Sequence, residues 1–182
     1  MTLQYTAVGI QNESHMATSI DDYWKDLERL KISIGYAVWN CSLDLPVRLV
    51  TVSEGGIGGW CLGGGDEHIR IAREVVPEIP GKETEFLRAL CKEHNIYLIA
   101  QMIAKAPDLM KDRIFNIAFI IDPNGEVIHQ HIKTSFYQRE TNTAPSDIWN
   151  LYLEKYGDDP EKLLDVLYPV AKTEIGNIGT FI

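Results

Sequence analysis

The chain has 182 residues, with 17 Lys plus Arg against 26 Asp plus Glu, a formal charge of −9. That balance excludes a nucleic-acid binder working by phosphate neutralisation, which needs a basic stripe, and it disfavours attraction to an anionic membrane surface. At 45% hydrophobic and 24% charged residues, residues 1–182 read as a single folded domain or part of one, not as a disordered segment.

Residues 5–10 form a short apolar, β-branched run ending in Gln11-Asn12, which predicts a first strand. Ser19 offers an N-cap ahead of Ile20, Tyr23, Trp24, Leu27 and Leu30, whose spacing predicts an amphipathic helix to about residue 37. A second strand spans 47–52, introduced by Pro46 and stopped by Glu54-Gly55-Gly56. A glycine-rich loop, a short helix over 66–73 and an amphipathic helix over 82–94 follow. The runs 96–103 and 114–121 are almost continuously apolar, as expected of strands covered on both faces. Asp122-Pro123-Asn124-Gly125 is a turn signal that predicts a hairpin between 114–121 and 126–132.

A polar insertion from Ser135 to about Pro145 precedes predicted helices over 146–156 and 160–167. Two last strands, 168–172 and 178–182, are predicted to join at Gly176-Asn177. The order β-α-β-α-α-β-β-β-α-α-β-β indicates a layered α/β protein. Ile178-Gly179-Thr180-Phe181-Ile182 has the look of a buried strand that stops in mid-course, so the chain reads as the front part of a longer protein.

Cys41, Cys61 and Cys91 are an odd count without a C-x-x-C pair, which fits neither a secreted disulfide framework nor a zinc site. The first residues lack the basic and apolar regions of a signal peptide, and no apolar run approaches the roughly 20 residues of a membrane helix. A reduced cytoplasmic protein is expected. The glycines between Gly55 and Gly65 lack the order of a phosphate-binding loop and read as a tightly turning loop. His129 and His131 alternate on one strand, and with no third ligand nearby they read as a polar strand face.

Three charged residues could carry chemistry. Glu54 directly follows the strand over 47–52, and Lys133 follows the strand over 126–132. Alone, the first reads as a solvated loop glutamate and the second as a surface lysine. Glu140, beside Arg139, is weaker still. Their common placement raises all three, because strand ends in α/β folds open onto clefts while the sheet fixes the backbone. Trp60, Phe136, Tyr137 and Trp149 could line an apolar pocket, although aromatics so placed are more often core.

These landmarks together resemble one family. Val47-Arg48-Leu49-Val50-Thr51-Val52-Ser53-Glu54-Gly55-Gly56 resembles the glutamate motif of the nitrilase, or carbon–nitrogen hydrolase, superfamily. The helix over 82–94 with Ile96-Tyr97-Leu98-Ile99 looks like its next αβ unit. Phe115-Asn116-Ile117-Ala118, Asp122-Pro123-Asn124-Gly125-Glu126 and Lys133-Thr134 match the asparagine, turn and lysine landmarks in order. Thr173-Glu174-Ile175-Gly176-Asn177-Ile178-Gly179 resembles the approach to the nucleophile elbow.

The resemblance implies a four-layer α-β-β-α sandwich and a Glu–Lys–Cys triad acting on a small-molecule amide or nitrile, with no metal or organic cofactor. Glu54 is then the general base, Lys133 the stabiliser of the tetrahedral intermediate, and Glu140 a candidate for the additional glutamate. The nucleophilic cysteine is expected immediately beyond Ile182. A homo-oligomer is implied as well. The alternative expectation is a non-catalytic relative, a half-domain serving as a binding or assembly module. In that case Cys61 is the only cysteine in a loop near Glu54, and trapping it with an electrophile would discriminate.

Overall fold

The computed structural model describes residues 3–60, 65–137 and 140–182. In chain order the elements are β1 (Thr6–Ile10), α1 (Ile20–Cys41), β2 (Val47–Val52), α2 (Gly65–Arg70) running into a π turn at Ile71–Val75, and α3 (Lys82–His94). Next come β3 (Tyr97–Ala106), β4 (Met110–Ile121) and β5 (Val127–Ile132). A 3-10 turn at Pro145–Ile148 leads into α4 (Trp149–Tyr156), then α5 (Pro160–Leu167), β6 (Val170–Thr173) and β7 (Gly176–Gly179). The order of strands and helices is the one predicted. Among the described residues no helix is long and apolar enough to cross a membrane.

Helix α1 starts where the sequence signals it. Ser19 is extended, and the carboxylate of Asp22 accepts hydrogen bonds from the backbone N–H groups of Thr18 and Ser19. Those bonds hold the Asp22 carboxyl well below the usual carboxylate range, with the Thr18 N–H foremost. Tyr23, Leu27, Leu30 and Ile34 form the buried face. The helix continues past residue 37 to Cys41, because Val38 still packs against the core and nothing in Ala37-Val38-Trp39 breaks a helix.

The five main strands form one mixed sheet in the order β1-β2-β3-β4-β5, parallel through β1, β2 and β3 and antiparallel from β3 to β5. Helices α1 and α3 lie on one face, and Leu27, Leu30, Val50, Leu87, Leu98 and Phe119 meet there in the largest core cluster. On the other face Tyr97, Ile99 and Ile120 pack with Ala171 and Ile178 of the ribbon β6–β7. Both faces of β3 and β4 are therefore covered, which accounts for their nearly unbroken apolar sequence.

Two predicted boundaries need correction. The β3–β4 hairpin extends beyond 103 and 114 to Ala106 and Met110, since backbone pairing carries it through Lys105 and Lys111-Asp112-Arg113 without apolar side chains. At the other end, the turn lies at Glu174-Ile175 rather than Gly176-Asn177: Thr173 pairs with Gly176, whose carbonyl accepts from the Thr173 hydroxyl at 2.6 Å. The predicted strand over 178–182 therefore ends at Gly179; beyond it the Thr180 hydroxyl meets His129 Nε2 and the Phe181 ring lies 6.4 Å from that of His131, both on β5.

Candidate active site

Glu54, Lys133 and Glu140 are brought together from three separate segments. Ser53 N–H donates to the Ile10 carbonyl at 3.1 Å, which carries the β1–β2 edge up to the turn holding Glu54. Lys133 N–H donates to the Asn116 carbonyl at 2.9 Å, which extends the β4–β5 ladder by one rung. Its ammonium reaches Glu54 Oε1 at 2.7 Å and Glu140 Oε1 at 2.8 Å. Glu140 is itself held by the Tyr137 N–H at 3.2 Å and the Asn142 amide at 3.5 Å.

Burial alone would lower the Lys133 pKa. The hydrogen bonds to Glu140 and Glu54 outweigh that, so the ammonium is held above the ordinary lysine value. Side-chain burial differs across the trio: Lys133 and Glu140 are almost fully enclosed, while Glu54 keeps 29% of its side chain exposed. The ammonium is enclosed, and of its two carboxylate partners Glu54 is the one that reaches solvent.

Glu54 is positioned by a relay that sequence reasoning largely missed. The Gly55 N–H donates to Gln101 Oε1 at 2.7 Å. The Gln101 amide donates to Asn116 Oδ1 at 2.7 Å, and the Asn116 amide donates to Glu54 Oε1 at 2.8 Å. Gln101 and Asn116 are diagonal neighbours across β3 and β4, since Gln101 pairs with Ala118, so their side chains emerge on one face. Asn116 enters the sequence reading only as a landmark and Gln101 not at all. The available signal is a lone amide in each of the two otherwise apolar runs 96–103 and 114–121, and buried amides are retained only where partners exist.

Gly55 has φ +77°, and a Cβ there would lie 2.8 Å from the Trp60 ring, so glycine is needed for the indole to close over the turn. The Lys133 ammonium sits 5.8 Å from that ring. Of the four aromatics singled out in sequence, Trp60 is thus against the trio. Trp149 stacks on Tyr152 in α4, and Tyr137 is exposed. A cleft of about 440 Å³ opens beside Glu54, lined also by Thr51, Ile99, Gln101, Ala118 and Phe181. A larger cavity of about 500 Å³ lies elsewhere, between the β3–β4 turn and α4–α5.

Cys41 is exposed at the end of α1, and Cys91 is buried in the core on α3, where burial pushes its thiol up to about 12. Neither has the exposed, electropositive setting of a reactive thiolate near Glu54. Cys61, Gly63, Gly64 and Arg139 lie outside the described residues. His129 and His131 share a face of β5 as expected, but the face is not a polar surface: both are buried beneath residues 167–181. Among the described residues no group of three or more His, Cys, Asp or Glu could hold a metal ion.

The family model for carbon–nitrogen hydrolase matches residues 8–182. The chain belongs to that family. Among curated relatives, a formamidase of Helicobacter acinonychis is 35% identical over 63 residues, covering 35% of this chain and 19% of that protein. A Bacillus cereus formamidase is 37% identical over 60 residues, covering 33% and 18%. Two solved structures share the fold: Saccharomyces cerevisiae Nit3 of the nitrilase superfamily (TM-score 0.61, 18% identity, 94% of this chain and 54% of that one) and the C. elegans NitFhit protein (TM-score 0.60, 20% identity, 96% and 37%). The carbon–nitrogen hydrolase chain thus has the α/β fold of the nitrilase type, and its match spans about half the length of Nit3 and under a fifth of either formamidase.

Proposed function

We propose that the whole protein hydrolyses the C–N bond of a small amide, with nitriles as the related substrate class, through a cysteine nucleophile carried beyond Ile182. The observation that carries this reading is the ammonium of Lys133 fixed between two carboxylates, with the more exposed one, Glu54, on a cleft.

Glu54 takes the thiol proton, and the thiolate attacks the carbonyl carbon. The developing oxyanion lies against the Lys133 ammonium, an interaction of a kind that costs roughly 3–4 kcal/mol of transition-state stabilisation when one donor is lost. Glu54 returns the proton to the departing nitrogen, ammonia leaves, and a thioester remains. Glu54 then takes a proton from water, whose oxygen attacks the thioester and releases the acid. Glu140 keeps Lys133 charged and aimed, and Gln101 and Asn116 hold Glu54 in register. In this reading residues 1–182 are the front part of one hydrolase domain in a reduced, cytoplasmic setting, and the reaction uses no metal or organic cofactor. The partial similarity to formamidases makes formamide the first substrate to try.

The test is ammonia release by the whole protein from formamide, acetamide and a short aliphatic nitrile. Glu54→Gln and Lys133→Ala should each lower turnover at least about a thousandfold, with the circular dichroism spectrum unchanged for Glu54→Gln. Turnover retained in both variants would sink the assignment. A wild-type protein inert on every amide and nitrile would favour a non-catalytic relative instead.

A further inference from the structure

We infer that Asp26, on α1 and apart from the trio of Glu54, Lys133 and Glu140, is a positioning residue that sets selectivity for small amides by fixing the turn that brings Trp60 against Lys133. The inference rests on the amide-hydrolase reading above and adds to it a residue from the opposite side of the turn.

Asp26 is 3% exposed and sits with Tyr23, Leu27, Leu30 and Ile34 on the buried face of α1. Its Oδ2 accepts the Gly58 N–H at 2.9 Å. The Gly58 carbonyl accepts from the Ala17 N–H at 3.0 Å, so both backbone groups of this glycine are held by α1 and the segment leading into it. Gly58 and Gly59 are left-handed, with φ +72° and +64°, and a Cβ on them would run into the Tyr23 ring and the His15 carbonyl respectively. The turn is pressed against α1 with no room for a side chain.

A carboxylate is a costly way to hold one N–H. Burial pushes the Asp26 carboxyl above its ordinary value, outweighing the pull of the Gly58 N–H in the other direction. Arg29 at 3.8 Å and His15 at 3.6 Å stand beyond hydrogen-bond distance. Burying an apolar side chain on this face would cost less, but it could not accept the Gly58 N–H. The charge is explained by what it holds.

Glu54, at the start of the turn, has its own anchors: Asn116 on its carboxylate and Gln101 on the next N–H. Trp60 lies two residues past Gly58, its ring 5.8 Å from the Lys133 ammonium. In the hydrolase reading the substrate oxygen meets that ammonium, which makes the indole a wall beside the acyl group. Releasing Gly58 loosens the wall and leaves Glu54 and Lys133 in place. A pocket wall discriminates a single methylene by roughly 10–200-fold.

The test is the ratio of kcat/KM for formamide to that for butyramide, measured on the whole protein. Both constants scale alike with the folded fraction, so a merely structural role for Asp26 leaves the ratio unmoved. Asp26→Leu should lower it at least about tenfold. Asp26→Asn keeps an acceptor and should keep the wild-type ratio; Asp26→Ala replaces Asp26→Leu if the larger side chain blocks folding. Trp60→Ala should lower the ratio as Asp26→Leu does, and the double variant should lower it no further. The Trp60 fluorescence, read as the difference between each protein and its Trp60→Phe counterpart, should shift to the red in Asp26→Leu, a readout that needs no turnover. A ratio unmoved by Asp26→Leu and Asp26→Ala would overturn the inference. So would an equal shift in Asp26→Asn, additive effects of the Asp26 and Trp60 changes, or unshifted Trp60 emission. A wild type inert on every amide sinks the hydrolase reading and the selectivity with it, whereas turnover with an unmoved ratio sinks this inference alone.

Discussion

Lys133 and His131 stand two residues apart at the end of β5, both buried, and they settle their charge in opposite ways. Lys133 has two carboxylates within 2.8 Å and stays an ammonium. His131 donates from Nδ1 to the Leu167 carbonyl at 2.7 Å, and its other nitrogen, enclosed near the rings of Tyr168 and Phe181, has no hydrogen-bond partner among the described residues. Burial pushes His131 below the ordinary histidine value. It pushes His129, whose Nε2 meets the Thr180 hydroxyl, down to about 4, with the neighbouring His131 adding to the effect. A buried ionisable group keeps its charge only where opposite charge is built in beside it; otherwise it gives the charge up.

The largest expected effect comes from removing the built-in charge. Lys133→Met leaves Glu54 and Glu140 facing each other without a cation. Chemical denaturation at pH 7 should register a loss of about 3 kcal/mol. Adding Glu140→Gln should recover part of it, because the repulsion is then gone. A loss below about 1 kcal/mol would mean that the two carboxylates do not depend on Lys133 for their placement.

The histidine pair sharpens the contrast through pH. With His129 near 4 in the fold and an ordinary value of about 6.5 when unfolded, the unfolded chain binds more protons between those limits. Stability should therefore fall as pH falls from about 6.5 to 4, by about 3 kcal/mol, and His129→Leu should flatten that limb. Lys133 acts with the opposite sign and outside this window. Its contribution is fully present below about pH 10.4 and is lost only as pH rises through its raised folded value. Denaturation curves at pH 7 and 4.5, wild type against His129→Leu, decide the matter; an unchanged acid limb would show that the ring is already charged in the fold.

A smaller effect is expected from the relay. Asn116→Leu removes the donor to Glu54 and leaves the Gln101 amide unpaired, a loss of about 1–2 kcal/mol in the same denaturation measurement. Amide turnover should drop alongside it as Glu54 loses its register. A loss under about 0.5 kcal/mol would show that Glu54 is placed by Lys133 alone.

Much of this was legible in the residues. Turn chemistry at Asp122-Pro123-Asn124-Gly125 and the capping signal at Ser19 act within a few residues, so the β4–β5 hairpin and the start of α1 lie where local pattern puts them. The grouping of Glu54, Lys133 and Glu140 was legible only as three charges at or after strand ends; their contact depends on register across β2 to β5. Gln101 was invisible for the same reason, since a single amide in an apolar run announces a buried partner without saying which. The β6–β7 turn was misplaced by two residues because Gly176-Asn177 is the stronger local turn signal, while packing of Ala171 and Ile178 against Tyr97 and Ile120 set the pairing.

By itself the sequence determined the alternation of strands and helices, the two-sided burial of β3 and β4, and the charges available at the strand ends, because periodicity and turn chemistry act over short stretches of chain. Only the tertiary structure decided that Lys133 stays charged while His129 and His131 are driven toward neutrality, and that Glu54 alone of the trio faces the cleft. Those outcomes rest on which groups meet through space, up to 79 residues apart in the chain, where burial and nearby charge, not local pattern, set the energy of an ion.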